Sequence, residues 1–349
     1  MKRVILFCAL ILTCIILLSG CTILPVSEFS SNAEDRPGFT VYFIDVGQAE
    51  SALVVCDGQT MLIDGGNAAD SNLIYAFLKN HDISYLDYIV ATHAHEDHVG
   101  GLAGALNYAK AGVALSPVAE YDSRAFNSFV KYLDEQGVSI TVPEAGDSFK
   151  LGGADVLVAG PTRRHDELNN TSIVLKISYG ETSFLFTGDA EREAEQDILE
   201  AGYDLFATVL QVGHHGSDTS TTYPFLREIM PRYAVISCGE GNSYGHPHEN
   251  TLSRLRDADV ILYRTDMQGT ITCVSSGTDV SFSVERNADA RTNPLELDEP
   301  DVSYIGNINS MKFHRVTCSG LPQEKNRVLF DSRDEAIDGG YEPCGTCKP

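Results

Sequence analysis

Four candidate metal ligands, His93, His95, Asp97 and His98, stand within one short run, His93-Ala94-His95-Glu96-Asp97-His98. Tyr88 to Thr92 is a short β-prone run that ends at the first histidine. Gly100-Gly101 opens a helical stretch, so the cluster falls on a strand-to-helix turn. Alternation turns His93 and His95 to one side, toward one cation, and leaves Asp97 and His98 for a neighbouring cation. Imidazole nitrogen mixed with carboxylate oxygen suits borderline divalent ions such as zinc, and a catalytic site keeps one coordination position open for water. The alternative, a histidine-rich surface turn without function, does not account for four ligands crowded at one strand end.

Later candidates also fall at strand ends. Asp189 follows Leu185-Phe186-Thr187-Gly188, on a tight turn where one carboxylate can bridge two ions. His214-His215 closes the run Thr208 to Val212, and His246-Pro247-His248 follows the glycine-rich stretch Gly239 to Gly245. A lone strand-end aspartate is ordinarily a cap or turn residue; recurrence at several strand ends points to a site. Two divalent ions about 3.5–4 Å apart lower the pKa of a water between them to near 7 and aim it at phosphorus or a carbonyl carbon. Asp97, His246 and His248 are the candidate catalytic residues, the two histidines to protonate a leaving group or hold an oxyanion. A structural turn is the alternative for His246-Pro247-His248. Ser217 and Ser220 are placed to touch a phosphate, or Ser217 caps the next helix. Asp45 and Asp64, each at a strand end, orient ligand histidines from behind or stabilise their own turns.

The elements that must position these residues alternate through most of the 349-residue chain. Phe39 to Ile44, Ala52 to Cys56 and Thr60 to Ile63 read as a β-meander, the last two joined by Asp57-Gly58. Helices are expected over Asn72 to Asn80, Ser123 to Gln136, Glu191 to Glu200, Tyr223 to Met230 and after Pro247. Strands are expected at Ala154 to Val158, Ser172 to Ser178, Thr182 to Thr187, Tyr233 to Ser237, Val260 to Tyr263 and Gly269 to Val274. Two mixed sheets flanked by helices satisfy this α+β order. The polar, proline-punctuated stretch 286–303 reads as a linker that ends a domain spanning 39–285. Residues 304–349 form a separate unit.

The N-terminus stands apart. Met1-Lys2-Arg3 is basic, Val4 to Leu17 is apolar, and Leu18-Ser19-Gly20-Cys21 closes the segment with small residues before a cysteine. This resembles a bacterial lipoprotein signal of residues 1–20, which implies lipidation at Cys21, a tether over 21–38 and an extracytoplasmic, membrane-anchored location. An uncleaved anchor is the alternative. The net charge of −24 argues against a broad basic groove for nucleic acid, although metal ions in a site still attract a phosphodiester locally. Of nine cysteines, Cys56, Cys238 and Cys273 sit in apolar, strand-like runs and read as buried thiols.

Taken together, His93-x-His95-x-Asp97-His98, Gly188-Asp189 and the later strand-end histidines resemble the metallo-β-lactamase superfamily, which implies a four-layer αβ/βα sandwich. Phe43-Ile44-Asp45-Val46-Gly47-Gln48, Leu62-Ile63-Asp64-Gly65-Gly66, Asn170-Thr171-Ser172, His214-His215-Gly216-Ser217 and Tyr244-Gly245-His246-Pro247-His248 are similar to its ComEC-like branch, the hydrolase domain of bacterial DNA-uptake channels. The resemblance implies His93 and His95 at a first metal, Asp97 and His98 at a second, Asp189 as the bridge, and His214 or His215 at the second ion, with His215 favoured. Many members add another first-site histidine between the cluster and the bridge. His165 is the only histidine in that interval, in a polar loop, and Asn170 and Ser172 occupy the matching segment. The pair of ions is then zinc or manganese.

In the tail, His314-x3-Cys318 and Cys344-x2-Cys347 supply one imidazole and three thiolates, enough to close a tetrahedral structural zinc site. A Cys344–Cys347 disulfide or a redox dithiol is the alternative. Phe313, Leu321, Val328, Phe330, Ala336, Ile337 and Tyr341 offer only a small core, so the metal is expected to drive folding. The tail resembles the metal-binding module of the DNA-repair protein Ada. Function is therefore expected to be an exported, lipid-anchored, two-metal hydrolase of phosphodiesters, with DNA as the possible partner. The alternatives are an envelope phosphocholine or small-ester hydrolase, and a non-catalytic surface protein that binds DNA or a partner.

Overall fold

A computed structural model describes residues 38–294, 304–316 and 318–349. The expected signal at 1–20, the lipidated Cys21, the tether and the second half of the linker lie outside the described residues. Among the described residues no helix is long and apolar enough to cross a membrane.

Two sheets stack face to face. The first runs in the order Val280–Val284, Ile271–Ser275, Phe39–Phe43, Ala52–Cys56, Gln59–Ile63, Tyr85–Val90, Lys110–Leu115, Ile140–Thr141. The second runs Ile261–Arg264, Tyr233–Ile236, Val209–Gln211, Thr182–Phe186, Val174–Tyr179, Ala154–Gly160, Ser148–Leu151. Alternation along Phe39–Phe43 buries Phe39, Val41 and Phe43 against Val156, Ile177, Phe184 and Phe186 of the opposite sheet. Each such side chain contributes about 1.5–3 kcal/mol of burial free energy. The outer face of the first sheet carries helices Ser71–Asn80, Leu102–Tyr108 and Arg124–Gln136. Arg192–Ala201, Tyr223–Ile229 and Glu249–Asp257 cover the second. The result is the four-layer sandwich, and Cys56, Cys238 and Cys273 are free thiols in its core.

Local chemistry explains the element boundaries. Asp57 (φ 47) and Gly58 (φ 86) both take left-handed conformations at the meander turn, as the two central residues of a tight hairpin require. Ser123 is the N-cap of Arg124–Gln136, its hydroxyl accepting from Phe126 N–H at 3.1 Å, and Gly137 (φ 72) ends the helix. The expected domain end at residue 285 is too early. Arg286 pairs with Asp45 (3.1 Å), Thr292 donates to Leu262 O (2.6 Å) and Asn293 to Leu252 O (3.1 Å), so 286–294 packs on the domain. Polar composition suggested a linker because those bonds are invisible to a hydrophobic pattern.

The tail is a four-stranded sheet, Arg327–Phe330, Tyr304–Asn307, Lys312–Arg315, Glu342–Pro343, with one short helix, Arg333–Asp338. Its buried core is Phe313, Phe330 and Ala336, with Tyr304, Val328 and Tyr341 against it. Ile337, expected inside, is 41 % exposed; the single-turn helix turns Ala336 inward and its neighbour out.

Candidate metal centre

The first sheet delivers the histidine cluster at the end of Tyr85–Val90. A helical turn then begins inside the cluster, Glu96–Val99, with His95 as its N-cap. This turn, rather than strand alternation, separates the ligands. His93 Nε2 and His95 Nδ1 approach to 3.0 Å, while Asp97 and His98 are carried around the turn. Paired glycines make the geometry possible. A Cβ on Gly101 would meet the Gly65 carbonyl oxygen at 1.9 Å, and one on Gly100 would lie 2.2 Å from Ala68 N, so the 64–68 turn packs backbone to backbone against 98–101. Asp64, in a left-handed conformation (φ 57), turns its fully buried carboxylate into that contact. It accepts from Thr92 N–H (2.8 Å) and Thr92 Oγ1 (2.7 Å) and binds His98 Nδ1 at 2.7 Å. A carboxylate behind Nδ1 aims Nε2 outward and raises its basicity.

The second sheet supplies Asp189 after Thr182–Phe186 and His214-His215 after Val209–Gln211. Asp189 Oδ1 lies 3.2 Å from His98 Nε2 and 3.7 Å from His215 Nε2. Its Oδ2 lies 3.8 Å from His93 Nε2 and 3.6 Å from His214 Nε2. Asp97 Oδ2 is 3.4 Å from His215 Nε2, and His215 Nδ1 is held by Ser237 O at 3.0 Å. His98 Nε2, His215 Nε2 and Asp189 Oδ1 are buried without a hydrogen-bond partner. Ligand atoms of Asp97, His98, Asp189 and His215 all lie within 4.8 Å of one another. Buried polar atoms left orphaned around one point need a guest, and two imidazoles with two carboxylates fit a divalent ion. Burial opposes charge on all of them, yet His98 and its neighbour His215 hold the Asp189 carboxyl well below the usual range, and Asp189 and Asp64 raise His98. Burial and the charge of His98 hold His93 well below the ordinary imidazole value. The cleft above has a volume of about 300 Å³ and is lined by His95, Asp97, Asp189, His214, His215 and His246 among others.

In the tail, ligand atoms of His314, Cys318, Cys344 and Cys347 also lie within 4.8 Å of one another. His314 Nδ1 is buried with no partner, and the cysteines are free rather than bridged. Backbone N–H groups donate to sulfur at Gly320 to Cys318 (3.5 Å) and Thr346 to Cys344 (3.4 Å). Such bonds favour thiolate, and those from Cys347 and Thr346 bring Cys344 down to about 7. One imidazole and three thiolates fit a closed zinc site.

Residues 44–240 match the metallo-beta-lactamase superfamily. The chain belongs to that superfamily. Residues 301–349 match the metal binding domain of Ada. The superfamily domain is similar to ComE operon protein 3 of Bacillus subtilis strain 168, 31 % identical over 250 residues that cover 66 % of this chain and 32 % of that protein. It is similar also to competence protein ComA of Neisseria gonorrhoeae, 30 % identical over 241 residues, 68 % of this chain and 32 % of that one. The chain thus spans about a third of the length of these relatives. Among solved structures it is similar to the metallo-beta-lactamase fold protein YhfI from Bacillus subtilis, with TM-score 0.46 and 11 % identity over 70 % of this chain and all of that one.

Around the candidate dimetal site of the superfamily domain, the remaining sequence candidates divide. Ser172 Oγ accepts from Asp189 N–H (3.1 Å) and lies 3.4 Å from His93 Nδ1, so it touches both halves. Asn170 faces away, its Oδ1 accepting from Glu191 N–H at 3.0 Å. Ser217 folds its hydroxyl onto Thr219 Oγ1 (3.0 Å) and lies outside the cleft lining, as a turn residue. Asp45 does not reach a ligand histidine: its carboxylate meets Gly47 N–H (3.2 Å) and Arg286 (3.1 Å), so of its two readings the turn-stabilising one holds. His248 is a correction. Its Nδ1 accepts from Asp218 N–H (3.1 Å) and its Nε2 donates to Tyr244 O (3.1 Å), which leaves no nitrogen for acid catalysis. His246 remains in the cleft. Gly239 N–H donates to Gln48 Oε1 (3.0 Å), which turns Gln48 Nε2 toward His246 Nδ1 (3.2 Å). His246 Nδ1 is therefore the acceptor and Nε2–H the donor presented to the cleft. Burial and the nearby His214 lower His246 to about 4, so the ring is neutral at pH 7.

Sequence reasoning missed Glu50 and Gln211. Gln211 Oε1 accepts from Thr187 N–H (2.8 Å) and Gly188 N–H (3.1 Å), pinning the turn that carries Asp189. Its Nε2 donates to Glu50 Oε2 (2.9 Å), and Glu50 Oε1 accepts from Ser237 Oγ (3.0 Å). The only signal was that Glu50 stands two residues after the Phe43 to Gln48 run. Burial pushes the Glu50 carboxyl up from 4.5 to about 7. In metal-stripped protein the folded state thus keeps a proton that the unfolded chain releases between pH 4.5 and 7, so this group's contribution falls as pH rises through that window. Glu50→Gln is expected to flatten the decline and to gain about 3 kcal/mol over wild type above pH 7. Urea unfolding in chelator at several pH values measures this; parallel profiles for the two proteins would refute it.

Proposed function

We propose that this chain is an extracytoplasmic, lipid-anchored, metal-dependent phosphodiesterase whose first substrate to test is DNA. The observation that supports it most is Asp189, whose two oxygens face separate groups of imidazoles at the floor of an open cleft. Divalent ions held there supply water activation and neutralise charge on a phosphoryl group. Asp97, partly exposed at the rim of the cleft, and Asp189 fix the ion-binding atoms. His246 presents Nε2–H to an oxygen of the substrate, with Gln48 keeping its tautomer. Similarity to proteins named for competence, and an Ada-like module in the same chain, support a polynucleotide.

Metal-loaded protein incubated with single- and double-stranded DNA tests the reading; strand cleavage abolished by chelator and by Asp97→Ala supports it, and no cleavage with zinc or manganese sinks it. His246→Ala is expected to lower kcat/KM by roughly 10²–10³ while both ions stay bound, as loss of one oxyanion donor does. Metal leaving with the histidine would instead make it a ligand. No Lys or Arg lines the cleft, an observation that favours, as second reading, a small phosphodiester or ester over a long polyanion. A chromogenic panel separates the two, since the second reading expects turnover of small esters with DNA intact.

A further inference from the structure

Asp189 meets imidazoles in two pairs. Oδ1 faces His98 and His215, whereas Oδ2 faces His93 at 3.8 Å and His214 at 3.6 Å. His214 and His215 are consecutive, and both occupy the left-handed region (φ 51, ψ 47; φ 54, ψ 24), which residues with a Cβ rarely adopt. That paired conformation splits two adjacent rings between the two oxygens of one carboxylate. The rear nitrogen of His214 is anchored as a metal ligand's would be: Nδ1 lies 3.2 Å from Glu191 Oε1 and 3.2 Å from Thr219 Oγ1, and Thr219 itself donates to Glu191 at 3.0 Å. Asn169 Nδ2 donates to the same Glu191 oxygen at 3.3 Å and lies 3.5 Å from His214 Nε2. His98 has the same arrangement with Asp64 behind it.

The stretch between His98 and Asp189 supplies the first group with no third imidazole. His165, the one histidine between His98 and Asp189, is tied to Asp197 at 3.3 Å. Asn170 and Ser172 bond the Glu191 and Asp189 backbone instead. We infer that His214 is the third imidazole of the first metal site, reaching it from the far side of Asp189 with Glu191 and Thr219 as its positioning residues, while His215 alone serves the second. Ligand nitrogens around a tetrahedral zinc at about 2.0–2.1 Å stand roughly 3.4 Å apart. His93 to His95 at 3.0 Å, with Asp189 Oδ2 3.8 and 3.6 Å from His93 and His214, lie near that spacing. This inference rests on the dimetal reading of the site but not on its substrate.

The test is metal content of the full chain by mass spectrometry after equilibration with zinc, with the tail zinc as the internal standard. His214→Asn keeps a side chain that tolerates the left-handed conformation. It is expected to weaken one hydrolase-site ion by on the order of 100-fold or more, since losing a partner behind a ligand alone costs 10–100-fold. His93→Gln should weaken the same ion. The double variant His93→Gln/His214→Asn then retains the second ion at the affinity of either single variant, whereas His214→Asn/His215→Asn loses both. Two ions at wild-type affinity in His214→Asn, or one ion surviving in His214→Asn/His215→Asn, overturns the assignment. Unchanged thermal unfolding of the chelated variants checks that the fold persists. Wild-type protein that binds two ions but cleaves no DNA sinks the substrate reading and leaves this one standing.

Discussion

Asp189→Asn is expected to abolish hydrolysis, lowering kcat/KM on the order of 10³-fold or more, and to release both hydrolase-site ions while the tail keeps its zinc. The size of the effect follows from one side chain serving two groups. Each oxygen of Asp189 faces two imidazoles, and several kcal/mol of charge stabilisation per ion converts to about a factor of ten for each 1.4 kcal/mol. Asparagine preserves the shape and the Ser172 contact to the backbone N–H. It removes the charge and turns an N–H₂ toward one pair of nitrogens. Metal analysis and kcat/KM on the same preparation check this together. Retention of both ions with a modest rate loss would show that the carboxylate does not bridge.

Zinc removal is expected to unfold the tail outright and leave the superfamily domain folded. Phe313, Phe330 and Ala336 form its buried cluster, and two phenylalanines at about 1.5–3 kcal/mol each do not offset about 1–2 kcal/mol of entropy lost for every ordered residue of the module. Structural zinc supplies about 10–16 kcal/mol in comparable small modules. Cys344→Ser, which removes a thiolate that backbone N–H groups already favour, should act as chelation does. Limited proteolysis reads the outcome: cleavage within 304–349 and protection of 39–294. A tail that stays protected in strong chelator would mean the small core suffices.

The histidine cluster, the strand-end aspartate and the Cys/His tail were legible because each is local. A strand run, a glycine pair and the ligand types lie within a few residues, where sterics and hydrophobic periodicity govern. The same locality could not tell Asp45 from Asp64. Both follow an apolar strand, yet only Asp64 takes a left-handed turn beneath Thr92 and reaches His98, while Asp45 secures Arg286. His246 and His248 looked equivalent around one proline. Bonds from Gln48 and Asp218, on other loops, put one in the cleft and lock the other outside.

By itself the sequence determined most of the α+β order of elements, though not the strands Lys110–Leu115, Ile140–Thr141, Ser148–Leu151 and Val280–Val284, and the ligand types of both candidate metal sites with the turns that bear them. Only the tertiary structure decided which ring of His214-His215 meets which oxygen, and that Glu50 braces Gln211 behind Asp189. Adjacent residues share every local preference, so their separation depends on a carboxylate that arrives from another strand end. Such contacts arise when two distant segments are packed together, and no window along the chain encodes them.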